Sequence, residues 1–95
     1  MMKRWEHIFD CLSTKGVFRI IIYLAREENP VNFSQIDKNI PSIGKQAINT
    51  ATLCLILNGL VEEKREPKHN QRLLCLTPFG RRIGQYLLGL LEIQE

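Results

Sequence analysis

The sequence predicts an α+β domain that is mostly helical, with one two-stranded hairpin late in the chain. Three observations carry that reading. Apolar residues recur at three- and four-residue spacing through most of the chain up to Asn58. Gly59 then stops the helical pattern, and two short runs with strand character flank the polar turn Pro67, Lys68, His69, Asn70. Thr77 followed by Pro78, a cap and then a proline at the first turn, opens a final helical stripe of Ile83, Tyr86, Leu87 and Leu90.

Each element can be justified in order. Trp5, Ile8, Phe9 and Leu12 share one face of a first helix over residues 3 to 12, interrupted by Ser13, Thr14, Lys15 and Gly16. From Val17 the apolar positions 17, 20, 21 and 24 form one face and Phe18, Ile22 and Ala25 a second. This second helix, running to about Glu28, is expected to be the most buried. Asn32 stands three residues before Gln35, the spacing of a capping box, so a short helix over 33 to 39 follows. Pro41 disfavours helical geometry at Ile40 and ends it, and Ser42 is the expected cap of the next helix, from about Ile43 to Asn58. Strands over roughly 60 to 66 and 71 to 77 pair as the hairpin, and the last helix runs from about 78 to 93.

The 95 residues make one domain, with helix-turn-helix about 33–58, hairpin about 60–77 and C-terminal helix about 78–93. With 44% apolar and 24% charged residues the composition is that of a soluble globular protein, and no apolar run approaches the roughly 20 residues that a membrane helix needs. Polar residues interrupt the region after Lys3 and Arg4, so no secretory signal is read there and the expected compartment is the cytoplasm. Cys11, Cys54 and Cys75 are odd in number and far apart, which argues against a disulfide framework or a paired-cysteine zinc site. Reduced, mostly buried thiols are expected, with a bridge between two copies of the chain as the alternative. Net charge is only +3, but Lys64, Arg65, Lys68, Arg72, Arg81 and Arg82 crowd one segment in which Glu66 is the single acid.

Two helices joined by a tight turn, the second with a polar front, match a recognition helix whose first turns touch base edges in a DNA groove. Gln46 and Asn49 carry amides able to pair bidentately with adenine. Lys45 can reach guanine or phosphate, and Thr50 can bond a base or pack on a thymine methyl. Ala47, Ile48, Thr52 and Leu55 are the expected core side of the same helix. An ordinary solvated helix face is the bland alternative. In the hairpin, Arg65, Lys68, His69 and Arg72 gather around the turn, where they can neutralise phosphates or simply be solvated. Arg81 and Arg82 start the last helix, an unfavourable end for cations unless an anion lies near.

The stretch "FSQIDKNIPSIGKQAINTATLCLILNGLVEEKREPKHNQRLLCLTPFGRRI" resembles the winged helix-turn-helix transcription regulators of the MarR and HxlR kind. The matching features are an apolar-x-x-Ile helix, a Ser or Gly plus Lys start to the recognition helix, "NGLVEEKRE" entering the first wing strand and "LTPFGRRI" leaving the second; similarity spans about Val17 to Ile83. The resemblance implies a winged helix with a two-stranded wing and an extra C-terminal dimerisation helix, in a homodimer bound to double-stranded DNA. It implies base reading by Gly44, Lys45, Gln46, Asn49 and Thr50, and wing contacts by Lys68, His69 and Arg72. Together with the charge pattern, the candidate backbone contacts are Ser42, Arg65, Lys68, His69, Arg72 and Arg81. One departure stands out. Many relatives are charged late in this helix, whereas this chain has Leu53, Ile56 and Leu57, which are expected to be covered.

Those leucines, with Leu87, Leu88, Leu90, Leu91 and Ile93, exceed what a small core hides and point to an interface, unless they complete the monomer core. Trp5, Phe9, Tyr86, Leu87, Leu90 and Leu91 are the expected dimer contacts. Chemistry of other kinds finds little support. His7 and Cys11 lie one helical turn apart but lack further ligands, there is no phosphate-cradling loop, and Glu62 and Glu63 point to opposite faces of a strand. No enzyme, metal, cofactor or small-molecule ligand is therefore expected, and the competing reading is a winged-helix module that binds protein instead of DNA.

Overall fold

The computed structural model describes residues 3–93 and contains, in chain order, α1 (Arg4–Leu12), α2 (Val17–Arg26), α3 (Phe33–Asn39), α4 (Lys45–Leu57), β1 (Val61–Arg65), β2 (Arg72–Leu76) and α5 (Pro78–Ile93). α2 is the central helix. Its Val17, Ile20, Ile21 and Leu24 are buried, because apolar side chains at this spacing can leave water only by facing one way, and α4 and α5 pack against it. Ile36 of α3, Ile48, Ala51 and Leu55 of α4, Val61 of β1 and Leu74 and Leu76 of β2 close the same core. The Ile-rich segment is thus helical, as its three- and four-residue spacing implies.

Local chemistry sets the boundaries. Asn32 Oδ1 accepts the Gln35 backbone N–H at 2.8 Å while the Gln35 side chain accepts the Asn32 N–H at 2.8 Å, the reciprocal bonds expected from their spacing. α3 then ends before Pro41. The cap of α4 is a correction: Gly44 with φ 88°, not Ser42, starts that helix, and residues 41–43 form a turn. Ser42 instead accepts a hydrogen bond from Arg19 at 2.7 Å. α4 stops where Gly59 takes φ 76°, as expected for a helix end that turns back.

β1 and β2 are antiparallel, with Val61 opposite Leu76 and Arg65 opposite Arg72. A further rung was not foreseen: Val31 and Leu74 exchange backbone hydrogen bonds of 3.0 and 2.7 Å, which ties the α2–α3 connection to the wing. Thr77 joins three elements. Its hydroxyl accepts the Gly80 N–H at 3.0 Å and donates to the Gly59 carbonyl at 2.6 Å, while its backbone N–H donates to Leu60 at 3.0 Å. The cap of α5 is thereby fixed to the end of α4.

The cysteines also depart from expectation. Cys11 of α1 and Cys54 of α4 form a disulfide across 43 positions of sequence, and Cys75 is a free thiol on β2. Sequence spacing gave no hint of the pair because only the packing of α1 on α4 brings it together. In the loop-entropy picture a cross-link of this span stabilises the fold by about 4 kcal/mol.

Candidate nucleic-acid interface

α4 sorts its side chains by phase. Ile48, Ala51, Thr52 and Leu55 face the core, while Lys45, Gln46, Asn49, Thr50, Leu53 and Leu57 are exposed. Ala47, expected inside, is half-buried, and Ala51 takes that place. The exposed positions recur at three and four residues, so the polar front Lys45–Thr50 and the apolar back form one continuous outer stripe. Thr50 Oγ1 bonds back to the Gln46 carbonyl at 3.1 Å, so the Thr50 hydroxyl proton is occupied.

The start of α4 has an unforeseen neighbour. Thr14 and Lys15, from the α1–α2 connection, share a shallow hollow with Gly44, Lys45, Gln46 and Thr50. Gly44 brings no side-chain cap, so the first-turn N–H groups are left for an outside acceptor, and two lysines flank them. Lys15, in the interruption between the first two helices, thus returns to the α4 terminus.

On the wing side, a groove of about 250 Å³ runs between α4 and β2, with Asn49, Leu53 and Ile56 on one wall and Arg72 and Leu74 on the other. The exposed face of α4 and the wing therefore adjoin. Arg65 and Arg72 are directly opposite each other, an unfavourable like-charge pair. Two contacts relieve it: Arg72 Nε donates to Glu63 Oε1 at 2.6 Å, and Arg65 donates to the Asn70 carbonyl at 3.1 Å. At the tip Asn70 takes φ 52°, and His69 stands 4.0 Å from Glu66. Lys68 is exposed and makes no ion pair among the described residues.

The structure does not bring every candidate together. Arg81 lines a separate hollow with Glu27, Glu28, Glu62, Lys64 and Cys75, a mostly acidic setting away from the exposed face of α4. Leu53 and Leu57, expected to be covered, are 58% and 76% exposed, because the core of the chain lies on the other side of α4. The aromatic and aliphatic set of the termini is also open. Trp5 and Phe9 stack edge to face with centroids 6.4 Å apart, and Tyr86, Leu90, Leu91 and Ile93 are exposed, whereas Leu87 packs partly against the core. His7 is exposed and Cys11 is taken by its bridge to Cys54. Among the described residues no helix is long and apolar enough to cross a membrane.

No protein-family model matches the chain, and no curated protein matches it. Solved structures do. A possible HxlR family transcriptional factor from Thermoplasma volcanium GSS1 is 26% identical, with TM-score 0.83 over 97% of this chain and 82% of its own. The transcriptional regulator YodB from B. subtilis is 22% identical, with TM-score 0.73 over 97% of this chain and 89% of its own. A transcriptional regulator homologue from Pyrococcus horikoshii OT3 is 22% identical, with TM-score 0.70 over 97% of this chain and 93% of its own. These neighbours are transcription regulators, not enzymes. The chain is thus a winged helix-turn-helix protein of the kind built by the HxlR-family and related regulators, as its sequence resemblance implied.

Proposed function

We propose that the chain is a sequence-specific regulator of transcription that binds double-stranded DNA as a homodimer, in the cytoplasm. One observation carries this reading: Lys45, Gln46, Asn49 and Thr50 are all exposed on the one face of α4 that adjoins the basic wing, while the opposite face is locked in the core. α4 then lies in the major groove, where Gln46 and Asn49 offer amides to adenine and Lys45 reaches guanine or phosphate. Lys15, Arg65 and Lys68 meet the phosphate backbone. Gly44 lets the chain enter the helix close to the DNA, and Ser42, held by Arg19, fixes the turn before it. His69 and Arg72 flank the wing contact. Arg81, which shares a hollow with Glu27, Glu28, Glu62 and Lys64, is left out of this reading.

The experiment is a titration of labelled duplexes selected from random sequence. Gln46→Ala and Asn49→Ala are each expected to weaken the preferred duplex by about 1 to 3 kcal/mol and to blur its sequence, while Lys68→Ala weakens all duplexes alike. Unchanged sequence preference in both amide variants rules out the reading of bases by this face.

The homodimer rests on the open apolar set of α1 and α5, since exposed patches of this kind mark interfaces. Two copies related by a twofold axis would present their α4 helices about 34 Å apart to a palindromic site. Leu90 is 59% exposed, so Leu90→Glu leaves the monomer core untouched. That variant is expected to run as a monomer in sizing experiments at concentrations where the unaltered chain is a dimer. Equal masses for the two would reject this interface.

A further inference from the structure

Two threonines line the shallow hollow at the start of α4, and neither offers it a hydroxyl proton. Thr50 Oγ1 donates to the Gln46 carbonyl and Thr14 Oγ1 to the Asp10 carbonyl, each at 3.1 Å. Each bond turns the oxygen back along its own backbone, which leaves the Cγ2 methyl as the free end of the side chain. The other lining residues continue the pattern. Ile43 is buried and Ala47 half-buried, while Lys15, Lys45 and Gln46 are exposed. The hollow thus has an apolar floor and a cationic rim with donors to spare.

That combination suits one feature of the DNA major groove. A hydroxyl whose proton is already donated can only accept. The acceptors that dominate the base edges, N7 and O6 of guanine, N7 of adenine and O4 of thymine, therefore find no partner in Thr50. The 5-methyl group of thymine does find one. Ala47 and Thr50, three positions apart on a helix, are surface neighbours with Cβ atoms about 5 to 6 Å apart, so a notch that seats one methyl group lies between them. Thymine O4, beside that methyl on the same base edge, meets the donors of Lys45 and Gln46, and the two lysines at the rim suit the flanking phosphates. Cytosine lacks the methyl and turns an amino donor toward the same cations.

We infer that the notch between Ala47 and Thr50 is the subsite that reads the 5-methyl group of a thymine, and that Thr50 sets specificity through its methyl and not through its hydroxyl. This rests on the proposed seating of α4 in the major groove and deepens it by naming a base and an atom. An adenine read by Gln46 or Asn49 and a thymine read by Thr50 together make a half-site rich in A·T pairs.

The test uses the full chain and the duplex selected from random sequence, with each thymine replaced in turn by deoxyuridine. That exchange removes one methyl group and leaves every hydrogen-bonding atom of the base in place. At one position of each half-site the unaltered chain is expected to bind about fourfold more weakly, the effect of one buried methyl group, and about fifteenfold more weakly when both half-sites are exchanged. Thr50→Ser keeps the hydroxyl and loses the methyl, so it is expected to bind the thymine and uracil duplexes equally. Thr50→Val keeps the methyl and loses the hydroxyl, so it is expected to retain the preference for thymine. Thr50 is exposed, and neither exchange disturbs the core. Indifference of the unaltered chain to uracil at every thymine overturns the inference, and so does a preference that survives in Thr50→Ser but not in Thr50→Val. Gln46→Ala and Asn49→Ala on the same duplexes separate the two conclusions. A chain whose selectivity responds to these amides but to no thymine methyl keeps the proposed function and loses this inference, whereas a chain without selective affinity for any duplex loses both.

Discussion

Gly80→Ala is expected to lower the stability of the domain by about 3 kcal/mol or more, the cost of overpacking where nothing can yield. A Cβ at Gly80 would stand 1.9 Å from the Leu60 carbonyl oxygen and 3.1 Å from Leu76 Cδ2. The carbonyl cannot simply retreat, because it accepts the Thr77 N–H at 3.0 Å and so belongs to the junction that seats α5 on the end of α4. Two other glycines of the same helix supply the comparison. At Gly84 the added Cβ would lie 3.0 Å from Ala25 Cβ, a contact that a small shift relieves, and at Gly89 it would meet nothing within 4 Å. The loss should therefore fall from Gly80 to Gly84, and Gly89→Ala should be neutral or stabilising by roughly 0.5 to 1 kcal/mol, since alanine restricts the unfolded chain. Thermal unfolding reads the series directly, with a drop of roughly 12 to 24 °C for Gly80→Ala in a domain of this size. Equal melting temperatures for the Gly80 and Gly89 variants would show that the junction between α5 and the end of α4 is looser than described.

The elements with local chemistry were legible in the sequence, and those that depend on a distant partner were not. Asn32 and Gln35 announce α3 because a capping box needs only neighbours. Thr77 and Pro78 announce α5 for the same reason. The wing registered through strand composition on both sides of a polar turn. By contrast Ser42 had the right side chain for a cap but lies two residues early, and its hydroxyl is claimed by Arg19 from another helix. The Cys11–Cys54 pair, the Val31–Leu74 rung and the return of Lys15 to the start of α4 all join segments far apart in sequence. No spacing rule reaches across such distances. The candidate site divides in the same way: the polar front of α4 follows from helical phase, whereas the acidic company of Arg81 and the exposure of Leu53 and Leu57 emerge only from packing.

The electrostatics of the surface give the larger expected effect. The cations that face the proposed duplex are Lys15 and Lys45 at the start of α4 and Arg65 and Lys68 on the wing, all exposed. Arg72 is set aside because Glu63 already compensates it, and Arg81 because it lines a separate hollow with Glu27, Glu28 and Glu62. Each remaining cation can displace one condensed counterion, so a dimer neutralises about eight phosphates and its log–log dependence on salt has a slope of about −7. Affinity should then fall roughly ten-thousandfold between about 50 and 200 mM salt. Lys68→Ala removes one contact from each subunit, so it should make the slope shallower by about 2 without shifting the sequence preference. Gln46→Ala should do the reverse, changing the preference while leaving the slope alone, because an amide releases no counterion. These two signatures are independent, and a slope near zero with an intact dimer would leave the basic wing as a solvated hairpin and give the outer face of α4 to a protein partner instead.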